Sequence, residues 1–197
     1  MQNSEFIIRP LVSAEISKVR ALHASLLPIA YPTSFFLQLT LLPARVCMVA
    51  YHPENPIEPI AFASAALRQT PRISGVDNSH VLSGGDQKSF NPTLSKQLHH
   101  IEILTLGVLP AYQQRGVARL LVRRVYEYFR EHSSQAPDLD LSDGTLIHTN
   151  VATSNVPALS FYQRIGMRIA SGVIRNLYRA CPQGSKDGYL LVGRISS

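Results

Sequence analysis

The sequence predicts an α/β fold in which one central sheet of about seven strands carries about four helices, distributed over both faces. Three observations predict it. Short apolar runs of strand length alternate with segments whose apolar residues recur at helical spacing. Pro and Gly punctuate the chain between those runs. The composition, 45% hydrophobic and 16% charged over 197 residues, supplies one ordinary core and excludes collagen-like, coiled-coil and wholly disordered chains.

In chain order, residues 6–9 read as a strand closed by Pro10, and Ser13 is placed to cap a helix with Ile16, Val19, Leu22 and Leu26 on one side. Pro28 ends that helix. Residues 33–42 read as a second helix whose apolar side holds Phe35, Phe36 and Leu39. The runs 46–51 and 60–67 flank a turn rich in Pro and Asn and read as a β-hairpin. From Gln69 to His99 all periodicity is lost, so 69–99 is expected to be an insertion.

Residues 101–108 form the next expected strand. A helix then starts at Val117, with Val117, Leu120, Leu121, Val125 and Tyr128 on its apolar face. A second polar excursion covers 132–144, and 145–151 read as a strand. Asn155 is expected to cap a short helix with Pro157 in its first turn, stopping at Gly166. Residues 167–177 and 189–194 read as two closing strands. The expected organisation is one domain over 1–197.

The net charge of +6 is mostly arginine, since only Lys18, Lys88, Lys96 and Lys186 of the 19 basic residues are lysines. Arginine's planar fork suits phosphate and carboxylate groups. Cys47 and Cys181 are too few for a disulfide scaffold and have no partners at metal-ligand spacing, so free thiols in an intracellular protein, and no metal, are expected. The first residues lack a charged-then-apolar secretory pattern, and the apolar stretch 22–49 is broken by Pro28, Pro32 and Pro43. Neither a signal segment nor a membrane span is expected.

The chemistry concentrates in Leu106-Gly107-Val108-Leu109-Pro110-Ala111-Tyr112-Gln113-Gln114-Arg115-Gly116-Val117-Ala118-Arg119. Strand, tight turn and helix follow one another, with Gln113-x-x-Gly116-x-Ala118 at the junction. Gly116 lets main-chain N–H groups approach an anion, and the helix start adds unpaired donors and a positive dipole end. A Walker A loop needs a lysine, and none lies between Lys96 and Lys186; a dinucleotide fingerprint needs three glycines, and the turn has one.

The junction resembles the acetyl-CoA motif of the GNAT superfamily of N-acetyltransferases, Gln/Arg-x-x-Gly-x-Gly/Ala. Asn155-Val156-Pro157-Ala158-Leu159-Ser160-Phe161-Tyr162-Gln163-Arg164-Ile165-Gly166-Met167 resembles its Asn-x-x-Ala-x-x-Phe-Tyr-x-x-x-Gly-Phe block. The resemblance implies the GNAT fold, a mixed sheet splayed at the cofactor site, with acetyl-CoA as cofactor. Leu106, Gly107, Val108, Gln113, Gln114, Arg115, Gly116, Val117, Ala118, Arg119, Asn155, Ala158, Phe161 and Tyr162 are its implied binding residues.

Leu27-Pro28-Ile29-Ala30-Tyr31, Leu104-Thr105-Leu106-Gly107-Val108 and Asn176-Leu177-Tyr178 are further similar to the NatE type of N-terminal acetyltransferase, which favours Met followed by a hydrophobic residue. This implies protein N-termini as substrate, with Leu27, Pro28, Ile29, Tyr31, Leu104, Leu177 and Tyr178 lining the peptide cleft. It also implies the NatA auxiliary and catalytic subunits as partners, ribosome contact through that complex, no membrane partner and a cytoplasmic location. Two alternatives stay open: a NatA-bound docking subunit of low activity, and a GNAT enzyme acting on lysine or small amines.

The reaction needs a base, an oxyanion donor and a proton for the departing thiolate. The backbone N–H of Val108 or its neighbour is placed for the oxyanion, and the motif assigns Tyr162 to the thiolate. The family's catalytic tyrosine and histidine align with Glu102 and Asn150. No Asp or Glu occurs from Thr145 to Lys186, and between Ile101 and Arg130 the only carboxylates are Glu102 and Glu127. Glu102 is therefore the expected base, with a solvated strand residue or a partner for an arginine as the alternative. Period 2 places Glu102, Leu104 and Leu106 on one strand face, and His148 and Asn150 on another. His148 is expected to relay a proton or hold a water.

Overall fold

The computed structural model of the chain describes residues 6–29, 31–70, 98–133, 144–178 and 185–195. Its strands are β1 (Ile7–Pro10), β2 (Arg45–His52), β3 (Asn55–Thr70), β4 (Leu98–Val108), β5 (Thr145–Ala152), β6 (Arg168–Ile169) and β7 (Gly188–Ile195). They form one seven-stranded sheet in the order β1-β2-β3-β4-β5-β7-β6. Every neighbouring pair is antiparallel except β4–β5, which is parallel and is joined by a helical crossover. The helices are α1 (Ile16–Leu26), α2 (Thr33–Leu41), α3 (Val117–Ser133) and α4 (Val156–Arg164). The strand order and the parallel β4–β5 crossover agree with the fold that the resemblance implies.

The alternation along β2 shows how the sequence builds two cores. Cys47, Val49 and Tyr51 pack with Val19 and Leu22 of α1 and with Phe36 and Leu39 of α2. Val46, Met48 and Ala50 pack on the opposite face with Val117, Leu121, Val125 and Phe129 of α3. Ala61, Ala63 and Ala65 of β3 are fully buried in that second core. Their small side chains leave room for the ring of Phe129 and the branched residues of α3.

Several boundaries differ from the sequence reading. Ser13 opens a 3₁₀ turn and caps nothing, since neither that turn nor α1 has a side-chain N-cap bond. β3 and β4 run on into the expected insertion, pairing Gln69 with His99 and Thr70 with Leu98. Residues 71–97, most of the insertion at 69–99, lie outside the described residues. Likewise α3 extends through Ser133 into the second excursion, and 134–143 lie outside. The closing strand expected at 167–177 shrinks to two residues and an isolated bridge from Ile174 to Gly188. On α3 the inward face is made by Val117, Leu121, Val122, Val125, Tyr126 and Phe129, while Leu120 is 42% exposed.

Candidate active site

β4 and β5 pair only from His100↔Leu146 to Ile103↔Thr149. Beyond that pair β4 runs on to Val108 and β5 to Ala152 without a ladder between them. The sheet splays there. A register shift between Ser64 and Ala65 of β3 marks a bulge at Leu104 of β4, pinned by a buried hydroxyl pair between Ser64 and Thr105.

The bulge corrects one expectation. Leu104 packs toward α1 and α2, whereas Leu106 and Val108 pack on the α3 and α4 face. The three residues Glu102, Leu104 and Leu106 do not share a face, because one extra residue reverses the alternation. Leu109 N–H donates to Ile60 C=O at 2.9 Å, so Leu109 and Ile60 are a hydrogen-bonded pair of the antiparallel ladder. The alternation then turns the N–H and C=O groups of Leu106 and Val108 away from β3, toward the gap that β5 leaves. Val108 C=O accepts a 3.0 Å bond from the Gln113 side chain, which ties the next turn to this edge.

That turn is built by a 3₁₀ segment, Pro110–Tyr112, followed by Gln114 at φ +63° and Gly116 at φ +81°. Left-handed residues alternating with ordinary ones aim successive N–H groups to one side. Leu120 N–H bonds back to Gly116 C=O, so the N–H groups of Val117, Ala118 and Arg119 have no preceding turn to meet. A Cβ at Gly116 would meet nothing within 4 Å, so the mouth of the turn is open. Arg115 stands over the rings of Phe6 and Tyr112, 5.4 and 5.6 Å from their centroids, which fixes its charge on the β1 side of the turn. Arg119 is exposed. Gly107 is small for another reason: a Cβ there would come within 2.9 Å of the Phe62 ring and 3.1 Å of Leu26.

On the α1 and α2 face, Glu102 stands directly beside His148 across the parallel pair. Arg68 Nε donates to Glu102 Oε2 at 2.7 Å, the arginine partnership that the sequence left open. His148 lies 4.9 Å, ring to ring, from His100. Its Nε2 is buried with no hydrogen-bond partner among the described residues. Burial, then the neighbouring His100, hold its pKa below the ordinary histidine value, so it is a neutral proton acceptor near pH 7. Asn150, two residues further, is exposed at the start of the splay. Arg68 and His100 were not legible beforehand, because their strand segments lay at the edge of the aperiodic stretch.

Tyr162 is 4% exposed, with Thr149 the polar side chain that acts on its phenol. Thr149, 3% exposed, donates to Ile103 C=O at 2.9 Å, on the last paired residues before the splay. Burial is the main cause that raises the Tyr162 pKa well above the ordinary phenol range, and the neighbouring Thr149 hydroxyl opposes it. The sequence reading missed Thr149. Its signal was a hydroxyl at a position whose strand neighbours two residues away, Ile147 and Val151, are apolar and buried. Asn155 caps α4 as expected, its Oδ1 accepting from Ala158 N–H at 3.2 Å. Ala158 and Phe161 are half-buried against the α3-side core.

Leu27, Tyr31 and Leu104 pack partly exposed over the α1 and α2 core; Ile29 is half-buried beside them in sequence and Pro28 is exposed. Leu177 and Tyr178 fold back over β7, where Gly188 leaves the room: a Cβ there would be 2.5 Å from Leu177 and 3.2 Å from Tyr178. Behind the loop, His23 is 2% exposed, stacked on Phe62 at 5.1 Å with Tyr31 edge-on at 4.8 Å. Burial lowers its pKa from 6.5 to about 4. The folded protein holds it neutral while the unfolded chain protonates it, so its share of stability is complete above pH 6.5 and is lost as pH falls toward 4. The loss is on the order of 2–3 kcal/mol. In urea unfolding followed from about pH 7 down to about pH 4.5, His23→Phe is expected to flatten this acid limb. An equal slope in both proteins would assign the acid sensitivity elsewhere.

Known proteins share parts of this sequence and this fold. The chain is 35% identical over 78 residues to the N-alpha-acetyltransferase RimI of Mycobacterium tuberculosis, a match spanning 40% of each protein. It is 27% identical over 164 residues to the histone acetyltransferase MCC1 of Arabidopsis thaliana, covering 81% of this chain and 59% of that one. The matches thus span less than two thirds of either relative's length. The crystal structure of Arabidopsis thaliana NAA60 in complex with acetyl-CoA superposes with a TM-score of 0.70 at 24% identity, covering 98% of this chain and 99% of that one. The pattern of the acetyltransferase (GNAT) family matches residues 16–167, spanning α1 through α4 with the splay and the turn between them. The chain belongs to the acetyltransferase (GNAT) family.

Proposed function

We propose that this chain is a protein N-terminal α-acetyltransferase that uses acetyl-CoA and favours Met followed by a hydrophobic residue. The observation that carries the reading is an open turn at residues 113–119 that follows the unladdered edge of β4, with Leu27, Tyr31 and Leu104 packed partly exposed on the α1 and α2 face; in this reading Ile29, Leu177 and Tyr178 join them in an apolar mouth. The turn fits a pyrophosphate and the edge fits an amide-bearing arm. The N–H groups of Val117, Ala118 and Arg119 would hold the former, and the main-chain groups of Leu106 the latter, which leaves the Val108 N–H for the acyl oxygen. Acetyl-CoA supplies an acyl group activated as a thioester.

The chain's own residues supply the rest. Glu102, oriented by Arg68, takes a proton from the incoming ammonium, directly or through water. An α-amine, with a pKa near 8, needs only such a modest base. Val108 N–H faces the gap where the carbonyl oxygen gains charge. Tyr162 protonates the departing thiolate. The apolar mouth supports a substrate with an apolar first residue. The similarity to RimI and the fold of NAA60 support an N-terminal rather than an internal amine. NatA association and a cytoplasmic location are supported by the motif resemblance alone.

Acetylation of lysine is the second reading, favoured by the name of MCC1 and by a carboxylate at Glu102. Turnover of Met-Leu, Ser-Glu and N-blocked internal-lysine peptides separates the two. The Met-Leu peptide is expected to lead in kcat/KM by about tenfold or more. A leading lysine peptide would replace the first reading with the second.

A further inference from the structure

We infer that Asp187 is a positioning residue for peptide selection: its carboxylate replaces a missing main-chain acceptor and so sets Leu177 and Tyr178 over the end of β5 that runs beyond its pairing with β4. The inference deepens the N-terminal acetyltransferase reading above, and its effect on the peptide rests on that reading. Between β6 and β7 the chain returns along β7 with a defect. Ile174 and Gly188 exchange both main-chain bonds, at 2.8 and 3.0 Å. The next bond is from Tyr178 N–H to Lys186 C=O at 2.9 Å. Arg175, Asn176 and Leu177 therefore stand opposite Asp187 alone, and the surplus residues bulge out of the ladder. Asn176 N–H, carried out of the ladder with them, donates to Asp187 Oδ1 at 2.9 Å. Asn176 sits at φ +53°, a left-handed turn that asparagine tolerates better than most residues but does not prefer.

The carboxylate stands on a fixed backbone. Asp187 C=O accepts from Thr153 N–H at 2.9 Å, and Asp187 N–H donates to Ser185 Oγ at 3.1 Å. Ser185 N–H in turn donates to Ser154 Oγ at 3.2 Å. Thr153 and Ser154 make the turn from β5 into α4, the helix that carries Tyr162. Asp187 thus ties the bulge to the end of β5. What the bulge presents is set by Gly188, where a Cβ would meet Leu177, Tyr178 and the Val151 carbonyl. Both side chains therefore lie over β5 past Thr149, its last residue paired with β4. A charged oxygen holds a main-chain N–H more firmly than a neutral one. Without it, the turn at Asn176 relaxes toward commoner backbone angles, and Leu177, the next residue, moves with it. None of these bonds involves residues 106–119, so the acetyl-CoA side is untouched.

The test compares Asp187→Ala and Asp187→Asn with the wild type in the full chain. Amide hydrogen exchange at Asn176 needs no turnover: Asp187→Ala is expected to speed it by about tenfold, and Asp187→Asn, which keeps an acceptor oxygen, to stay within about threefold. For a Met-Leu peptide, Asp187→Ala is expected to raise KM by about tenfold, with kcat and the Kd for acetyl-CoA within about twofold, and Asp187→Asn to restore most of the loss. The preference for Met-Leu over Ser-Glu peptides should fall with it. Unchanged exchange at Asn176 would overturn the inference, and so would faster exchange with an unchanged peptide KM. Equal losses in peptide KM and acetyl-CoA affinity, the mark of a generally loosened fold, would overturn it as well. A wild-type chain that binds acetyl-CoA but acetylates no N-terminus would overturn the N-terminal reading and the selection role together, while the exchange result would still decide whether the carboxylate holds the turn.

Discussion

Replacing Glu102 by Gln is expected to lower kcat/KM for a Met-Leu peptide by about 10²- to 10⁴-fold, the range set by removing a positioned general base. Glutamine keeps the shape of glutamate and can still accept from Arg68, whose Nε is 2.7 Å from the carboxylate. It cannot hold a proton drawn from the substrate. The affinity for acetyl-CoA should stay within about twofold, because Glu102 faces α1 and α2 while Leu106 and Val108 line the opposite face. The ion pair is also the arrangement that a purely structural carboxylate would show, and rates decide between the two. Full activity in Glu102→Gln would make Glu102 a partner for Arg68 and leave neutral His148, its neighbour across the parallel pair, as the acceptor.

Gly116→Val is expected to raise the Kd for acetyl-CoA by about 10- to 100-fold. Gly116 sits at φ +81°, where a β-branched residue is strained by roughly 1–2 kcal/mol. A Cβ there would have no atom within 4 Å beyond its chain neighbours, so the side chain has no protein neighbour to displace at its root. It occupies instead the open mouth through which an anion reaches the N–H groups of α3. Each 1.4 kcal/mol of lost binding is tenfold in affinity. The variant's sheet and helices should persist, so its circular dichroism should match that of the parent.

The parts legible in the sequence are those where one residue type has one job. Asn155 capped α4 as its spacing indicated, and Gly116 took the left-handed turn that only glycine adopts freely. The apolar alternation of β2 appears intact in the two cores. What escaped was set by contacts distant in the chain. The bulge at Leu104 depends on Ser64 forty-one positions before Thr105, so period 2 alone put Leu106 on the wrong face. Arg68 meets Glu102 only because β3 and β4 lengthen beyond their periodic portions. Thr149 reads as an ordinary strand residue until α4 brings Tyr162 over it. Ser13 had the chemistry of a cap, but the chain entered a 3₁₀ turn before α1, and the cap position moved.

Calorimetric titration of acetyl-CoA into the wild-type chain, with Gly116→Val alongside, tests the central claim most directly. The account predicts one saturable site in the wild type, a matching rise in its melting temperature, and a clear loss of affinity in the variant. No heat and no thermal shift in the wild type, or equal affinity in both proteins, would contradict it.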